Sequence, residues 1–520
     1  MGEYVLYSPL NDGPQALMTS YFGDQADYLA AFRTLKKINP TLALVSLSLI
    51  PGESARFGRP SLASDLMLQN IYRVPQQDIK ERYAEKFLMY KDIVEVEYTA
   101  NYIDNDHSVK IIKDPSGINF VHYVVELMRF SVQQYQGEYS THLKINGNVK
   151  DLGGKTIFQY EGSFSVEFDE TELKQLSYRP FDLYDMFPLL PGSYKLSVIV
   201  KNEVSREFTS IEKDIFIPEE DPDLHMSSLI LGYKTEHISS VTDYIAPFKI
   251  GQDQIYFQPM RIFLPDDKLF LVFQILSLSP DLYQRGTIKF EIFKGEEKVF
   301  SMTKKVSNYQ DRLNFKEDFF LKEFKPAHYR IKVALLDGEQ ELLSEWEEFD
   351  VTAVSMVPRP WVYYKKISPS GDPIYTFILG RQFLSKGETD KAQVLLEKAY
   401  HSQPNSLNYA VLLAQTYFIQ KKFARVKQIL IPFLETPETP YIFYLLLGGS
   451  YQKLVELSQA INIYDEAISR FGINIKLLNS LGECYYLLGN VKEALAAWEK
   501  SLELKPDQTE IQKKIESIKK

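Results

Sequence analysis

The feature that most constrains this chain is a self-similarity of 34 residues that begins at Pro373 and runs for four cycles without slippage. A repeat held in such strict register buries the apolar face of each unit against the next, so this segment has to stack as a linear array. A small residue recurs as Gly380, Ala414, Gly448 and Gly482, preceded by Leu379, Leu413, Leu447 and Leu481. An aromatic ring follows as Phe383, Tyr417, Tyr451 and Tyr485. The second half of each unit carries Ala392, Val426, Ala460 and Ala494, small enough for two helices to cross closely. Leu396, Leu430, Tyr464 and Trp498 then fill the space toward the next unit, followed by Ala399, Phe433, Ala467 and Ser501. Pro404 and Pro506 close the first and last units, Pro437 closes the second, and Gly472 stands at the end of the third.

These residues resemble the tetratricopeptide repeat family over Pro373 to Lys520. The resemblance implies a right-handed superhelix of antiparallel helix pairs, with four repeats in residues 373–508 and a capping helix in 509–520. Ile511, Ile515 and Ile518 of that last helix are spaced to cover the final hairpin. The family's groove is lined by the first helix of each pair. The matching positions here are Arg381, Asn408, Gln415, Phe418, Gln452, Asn479, Glu483 and Tyr486. The resemblance therefore implies a non-catalytic interaction or scaffold protein that takes a peptide or helix of a protein partner. The Lys, Arg and Asn set used by family members that grip acidic carboxyl-terminal peptides is not found here, which disfavours that ligand. The bland alternative is an array that packs only against its own chain.

Between Glu95 and Thr352 the periodicity changes to alternating runs of β-branched and aromatic residues separated by turn signals. The expected fold class is accordingly multidomain, with tandem immunoglobulin-like β-sandwiches at 61–220 and 221–355 followed by the helical superhelix. Each unit has about six or seven strands, the count of such a sandwich. The two units look like copies. Pro191 to Val198 matches Pro326 to Val333, a turn leading into a strand whose Tyr, Leu or Ile, and Val share one face. The restart at Ser227 to Leu231 echoes Ser64 to Leu68. Residues 1–60 read as a mixed α/β segment, a partial domain, with a helix around Asp24 to Ile38 and a strand at Thr41 to Pro51. Residues 356–372 read as a linker whose Trp361, Tyr363 and Tyr364 wedge the array against the second β region. The turn, Tyr-led strand and Ser-Leu restart are similar to β regions of bacterial envelope proteins of the GWxTD group, although the naming motif is absent. Met1 to Leu10 lacks a basic and apolar leader pattern, so the expectation is either a cytoplasmic protein or a bacterial envelope protein shown without its leader.

Bulk charge narrows the function classes. The chain has 59 Lys and Arg against 69 Asp and Glu, with no basic stripe, which argues against a nucleic-acid partner. A single Cys in 520 residues excludes an intrachain disulfide and a Cys-based zinc site; Cys484 falls at a helical core position. The longest apolar runs are about half the length a bilayer core requires, so no transmembrane segment is expected. No His-Glu-x-x-His, Walker loop, Gly-x-Gly-x-x-Gly or Gly-x-Ser-x-Gly pattern occurs, and the His residues are dispersed. No cofactor or metal is therefore expected. Asp104-Asn105-Asp106, read as a turn between strands, and the connector Glu219 to Asp223 could hold calcium. Turn chemistry explains them more simply. The rival function is a hydrolase or carbohydrate-active or carbohydrate-binding protein with its site on the β loops. Paired carboxylates with raised pKa values in a pocket would favour it.

Overall fold

The computed structural model describes residues 4–6, 18–20 and 102–519, apart from 128–129, 136–137, 177–178, 206, 220–223, 239–243, 353–356, 365–370 and 437–438. It divides into two compact units, Met1–Ser370 and Gly371–Lys520. The expected helix at Asp24 to Ile38, the strand at Thr41 to Pro51, the restart at Ser64 and most of the acidic connector lie outside the described residues. Within residues 1–60, Tyr4–Leu6 and Met18–Ser20 form an antiparallel pair.

Among the described residues, fifteen of the strands in the β region frame its layers: β1 (Asn105–Lys113), β2 (Asn119–Leu127), β3 (Glu138–Asp151), β4 (Thr156–Phe168), β5 (Phe181–Pro188), β6 (Gly192–Asn202), β7 (Phe208–Ile217), β8 (Ile230–Gly232), β9 (Lys268–Leu276), β10 (Thr287–Lys294), β11 (Glu297–Lys305), β12 (Asn314–Phe320), β13 (Ala327–Asp337), β14 (Gln340–Val351) and β15 (Trp361–Tyr364); shorter strands, among them the small sheet of Lys234–His237, Lys249–Ile250 and Asp253–Tyr256, lie between them. The fifteen form four sheets: β7-β6-β3-β4, β15-β5-β2-β1, β8-β9-β12, and β14-β13-β10-β11. Side chains alternate across each strand, so register decides which layer each residue joins. Odd-numbered residues of β2, β5 and β15 face the first sheet. Tyr123 and Tyr160 share a hydroxyl hydrogen bond of 2.9 Å, and Tyr363 stacks on Phe164 at 4.5 Å. Even-numbered residues face the third sheet, where Ile112, Val124 and Tyr184 pack with Ile230, Phe248, Phe257 and Val272. The other face of β9 closes a separate core, in which Leu271, Phe273 and Phe315 meet Phe290, Tyr329 and Ile331. The layers therefore run continuously, and the two β regions share a buried seam.

Three expectations need correction. Asn105 and Asp106 do not sit in a turn but open β1, because their register partners on β2 continue to Leu127. The stretch read as a linker contains β15, which pairs in parallel with β5, Trp361 opposite Phe181. Its Trp361 lies under the Arg179 guanidinium at 4.8 Å and Tyr363 stacks on Phe164, while Val362 and Tyr364 pack on the Phe248 and Phe257 cluster, so the aromatic run braces both β regions. Strands β5 and β11 escaped sequence reading for physical reasons. β5 is buried on both faces and shows no alternation, whereas β11 is an edge strand of alternating charged and partly exposed residues.

The second unit is helical throughout: α1 (Pro373–Lys386), α2 (Thr389–Ser402), α3 (Leu407–Ile419), α4 (Phe423–Leu430), α5 (Tyr441–Lys453), α6 (Leu457–Phe471), α7 (Ile475–Leu487), α8 (Val491–Leu504) and α9 (Thr509–Lys519). Starts are written locally. Asp372, Ser406 and Asn474 accept hydrogen bonds from the backbone N–H groups of Ile374, Tyr409 and Leu477, and Pro373 sits in the first turn where no donor is needed. α4 ends early because Pro432 cannot continue the ladder and the chain tightens into a 3₁₀ turn, Ile431–Phe433.

Candidate partner-binding groove on the helical array

Each hairpin is pinned where its two helices touch. A Cβ on Gly448 would lie 2.5 Å from the Tyr464 ring, and one on Gly482 only 2.3 Å from Trp498 Nε1. A large second-helix ring thus requires a first-helix glycine, whereas the second hairpin pairs the smaller Leu430 with Ala414. Each first helix then ends by the same backbone device. The N–H groups of Glu388, Lys422, Glu456 and Asn490 donate to the carbonyls of Phe383, Tyr417, Tyr451 and Tyr485 at 2.8–2.9 Å. The residue before each donor is left-handed: Gly387 (φ 88°), Lys421 (φ 60°), Val455 (φ 61°) and Gly489 (φ 83°).

With the hairpins fixed, the residues expected in the groove fall on one stripe of each first helix. Asn479, Glu483 and Tyr486 are spaced i, i+4, i+7, and Asn408, Gln415 and Phe418 follow the same face. Their environments differ. Arg381 is half-buried, and burial pulls its guanidinium below the usual value. Phe418 lies edge-on to Phe423 at 5.3 Å and close over Gly449, where a Cβ would come within 3.0 Å of the ring. Gln452 accepts a hydrogen bond from the Tyr464 hydroxyl at 3.2 Å. Tyr486 is 45% exposed and leans on Trp498. Asn408 is exposed at the start of α3, and Gln415 is half-buried in its middle. Asn479 and Glu483 are engaged by the carboxyl-terminal segment. Asn479 Nδ2 donates to Gln508 at 2.8 Å, and Glu483 pairs with Lys514 of α9. α9 seats Ile511 and Ile515 against Ala494 and Trp498, so the last hairpin already carries an amphipathic helix of its own chain.

Sequence reasoning missed two features of the array. One is a pair of exposed apolar residues at the last position of α3 and α7, Ile419 and Leu487, of which Leu487 is 56% exposed; the signal was their spacing, two repeats apart. The other is a cavity of about 580 Å³ between α2 and α4, lined by Gln393, Glu397, Tyr400, Lys422 and Arg425. Its polar groups satisfy one another. Tyr417 and Gln393 both donate to Glu397, Lys422 donates to Gln393 at 2.7 Å, and Arg425 donates to Gln428 at 3.0 Å.

The lone thiol and one carboxyl pair are buried. Burial pushes the Cys484 thiol up to about 11, well above the range of a reactive thiolate. Glu126 and Asp182 are opposed across β2 and β5 but are only 3% and 0% exposed. Burial, with Glu126 adding to it, holds the Asp182 carboxyl well above the usual carboxylate range. No grouping of three or more His, Cys, Asp or Glu suited to a metal occurs among the described residues.

Comparison with known proteins agrees with the helical reading. A family model described as tetratricopeptide repeat matches residues 475–508, and one described as anaphase-promoting complex, cyclosome, subunit 3 matches residues 385–467. The segment is a tetratricopeptide repeat array. The tetratricopeptide repeat protein 21 homolog of Caenorhabditis briggsae is 31% identical over 109 residues, covering 20% of this chain and 8% of that protein. The Caenorhabditis elegans homolog is 29% identical over the same length and shares. The match thus spans 8% of the length of these relatives. Among solved structures, a crystal structure of MamA is 24% identical over 26% of this chain and 80% of its own, with a TM-score of 0.26.

Proposed function

We propose that this is a non-catalytic interaction or assembly protein whose array takes a peptide or helix of a protein partner along the stripe from Arg381 to Tyr486. The observation that carries this reading is the register-locked set of hairpins whose first helices present exposed Tyr486, Ile442 and Leu487 beside polar Asn408 and Gln415. Partly exposed aromatic and Arg groups in a recess are the usual anchors of such contacts. The docking of α9 on the last hairpin, with Ile511 and Ile515 on Ala494 and Trp498 of the second helix and Lys514 paired with Glu483 of the first, supports a helical ligand. For the β regions we infer immunoglobulin-like modules that act as spacers or docking platforms. Support comes from the repeated Tyr-led strands, in which the Tyr194 hydroxyl donates to Pro191 O at 2.9 Å and Tyr329 to Lys325 O at 2.6 Å, the back-bonded tyrosine typical of that class. The hydrolase reading would need accessible paired carboxyls, and Glu126 and Asp182 are buried.

The test uses the full chain as bait in lysate of its source organism, against a variant carrying Arg381→Ala, Gln415→Ala and Tyr486→Ala, with folding checked by circular dichroism. A partner held by the wild type should bind the variant at least about tenfold more weakly. Equal binding would place the contact elsewhere and sink the groove reading.

A further inference from the structure

One row of side chains in the β region is chemically unusual. In the second sheet Asp106 lies opposite Glu126 and Glu126 opposite Asp182, so three acids share one row on the face turned toward the seam. Like charges directly opposed across strands repel, and here the repulsion is not screened, because Asp182 is 0% exposed. Cations stand nearby but spend their donors elsewhere. Arg359 donates to Ile262 O at 3.0 Å and to Gln258 and Asp267, while Arg179 donates to Arg359 O at 2.7 Å and Gln175 at 3.1 Å. The hydroxyls of Tyr184 and Tyr233 also face the site; Tyr184 donates to Phe257 O at 3.0 Å, and burial holds both phenols above their ordinary range and therefore neutral. Neither oxygen of Asp182 receives a hydrogen bond from any of these groups. The partner that remains for it is the Glu126 carboxyl, and two carboxyls bond only when one carries a proton.

We propose that Glu126 and Asp182 hold one proton between them, making the seam between the two β regions a pH-sensitive joint that loosens when that proton is removed. At neutral pH the shared O–H closes an otherwise impossible contact. In alkali, hydroxide takes the proton and leaves as water, and two adjacent carboxylates remain inside an apolar layer built on Val124, Tyr184, Phe248 and Val272. Water must then enter or the layers must part. The burial pushing the Asp182 carboxyl upward acts in the same direction.

The experiment is infrared spectroscopy of the full chain in heavy water, combined with amide hydrogen exchange followed by mass spectrometry. The wild type should show a protonated-carboxyl C=O band at about pH 6 that fades in alkali, and Asp182→Asn and Glu126→Gln should each lack it. Amides of β2 and β5 should exchange about tenfold faster than their intrinsic rate increase predicts between about pH 7 and pH 9, an excess that Asp182→Asn removes. A wild-type spectrum without a protonated-carboxyl band at about pH 6 overturns the proposal, as does a band that survives in either variant. Should Asp182→Asn fail to fold, the wild-type spectrum and Glu126→Gln decide the matter.

Discussion

Val455 offers an unusual prediction, that deleting an entire side chain strengthens the fold. It occupies the left-handed position closing α5, with φ 61°, in the register that Gly387 and Gly489 fill in the first and last repeats. The conformation is imposed by the helix end, because Glu456 N–H reaches back to Tyr451 O at 2.9 Å. An L-residue there costs roughly 1–2 kcal/mol, and a β-branched one sits toward the upper end. Replacement by Gly returns that strain but adds about 0.5–1 kcal/mol of backbone entropy in the unfolded chain. The side chain is 74% exposed, so little packing is lost with it. Val455→Gly should therefore stabilise the third hairpin by about 1 kcal/mol, which hydrogen exchange would read as roughly fivefold slower opening of α5 and α6. Val455→Ala, which removes the branch but keeps the Cβ, should give less than half the gain. Faster exchange in Val455→Gly, or an equal gain in both variants, would refute the strain explanation and point instead to a contact made by the valine.

Two further outcomes follow from packing and protonation. Gly482→Ala should destabilise the last hairpin by about 1–3 kcal/mol despite the better helix propensity of Ala, because its Cβ would fall 2.3 Å from the buried Trp498; a thermal melt or urea titration checks this. His122 is fully buried and accepts the Phe248 N–H at Nδ1, and desolvation pushes its pKa from 6.5 down to about 3. A depressed folded-state value means the neutral form is favoured, so this stability is complete above pH 6.5 and is lost as pH falls toward 3. At about 1.4 kcal/mol per unit, His122 should contribute about 5 kcal/mol of acid sensitivity across that window. Urea denaturation at several pH values should give a flatter profile for His122→Gln, and an unchanged slope would show that other groups set the acid limb.

The array was legible because its signals are local and repeated. Gly448 and Tyr464 lie within one hairpin, and a period of 34 residues shows the pairing four times over. Alternation likewise exposed β6 and β13, whose Tyr194, Leu196 and Val198, and Tyr329, Ile331 and Val333, are all buried. Signals failed where burial on both faces erased alternation, as in β5, or where an exposed edge left little apolar content, as in β11. Within the groove stripe, sequence spacing placed Asn479 and Glu483 beside Tyr486. It could not reveal that Gln508 and Lys514 occupy them, since that contact depends on where α9 turns back.

The sequence by itself determined the helical hairpins, their turns and the strand character of the middle region, because each rests on residues a few positions apart. Only the tertiary structure decided that β15 joins β5, that Lys110 reaches Leu229 O and Glu347 across the seam at 2.7 Å, and that Glu126 meets Asp182 inside it. Those contacts join residues separated by tens to hundreds of positions. No local preference encodes them; they arise when apolar faces such as Val124 and Val272 are driven together and carry their polar neighbours with them.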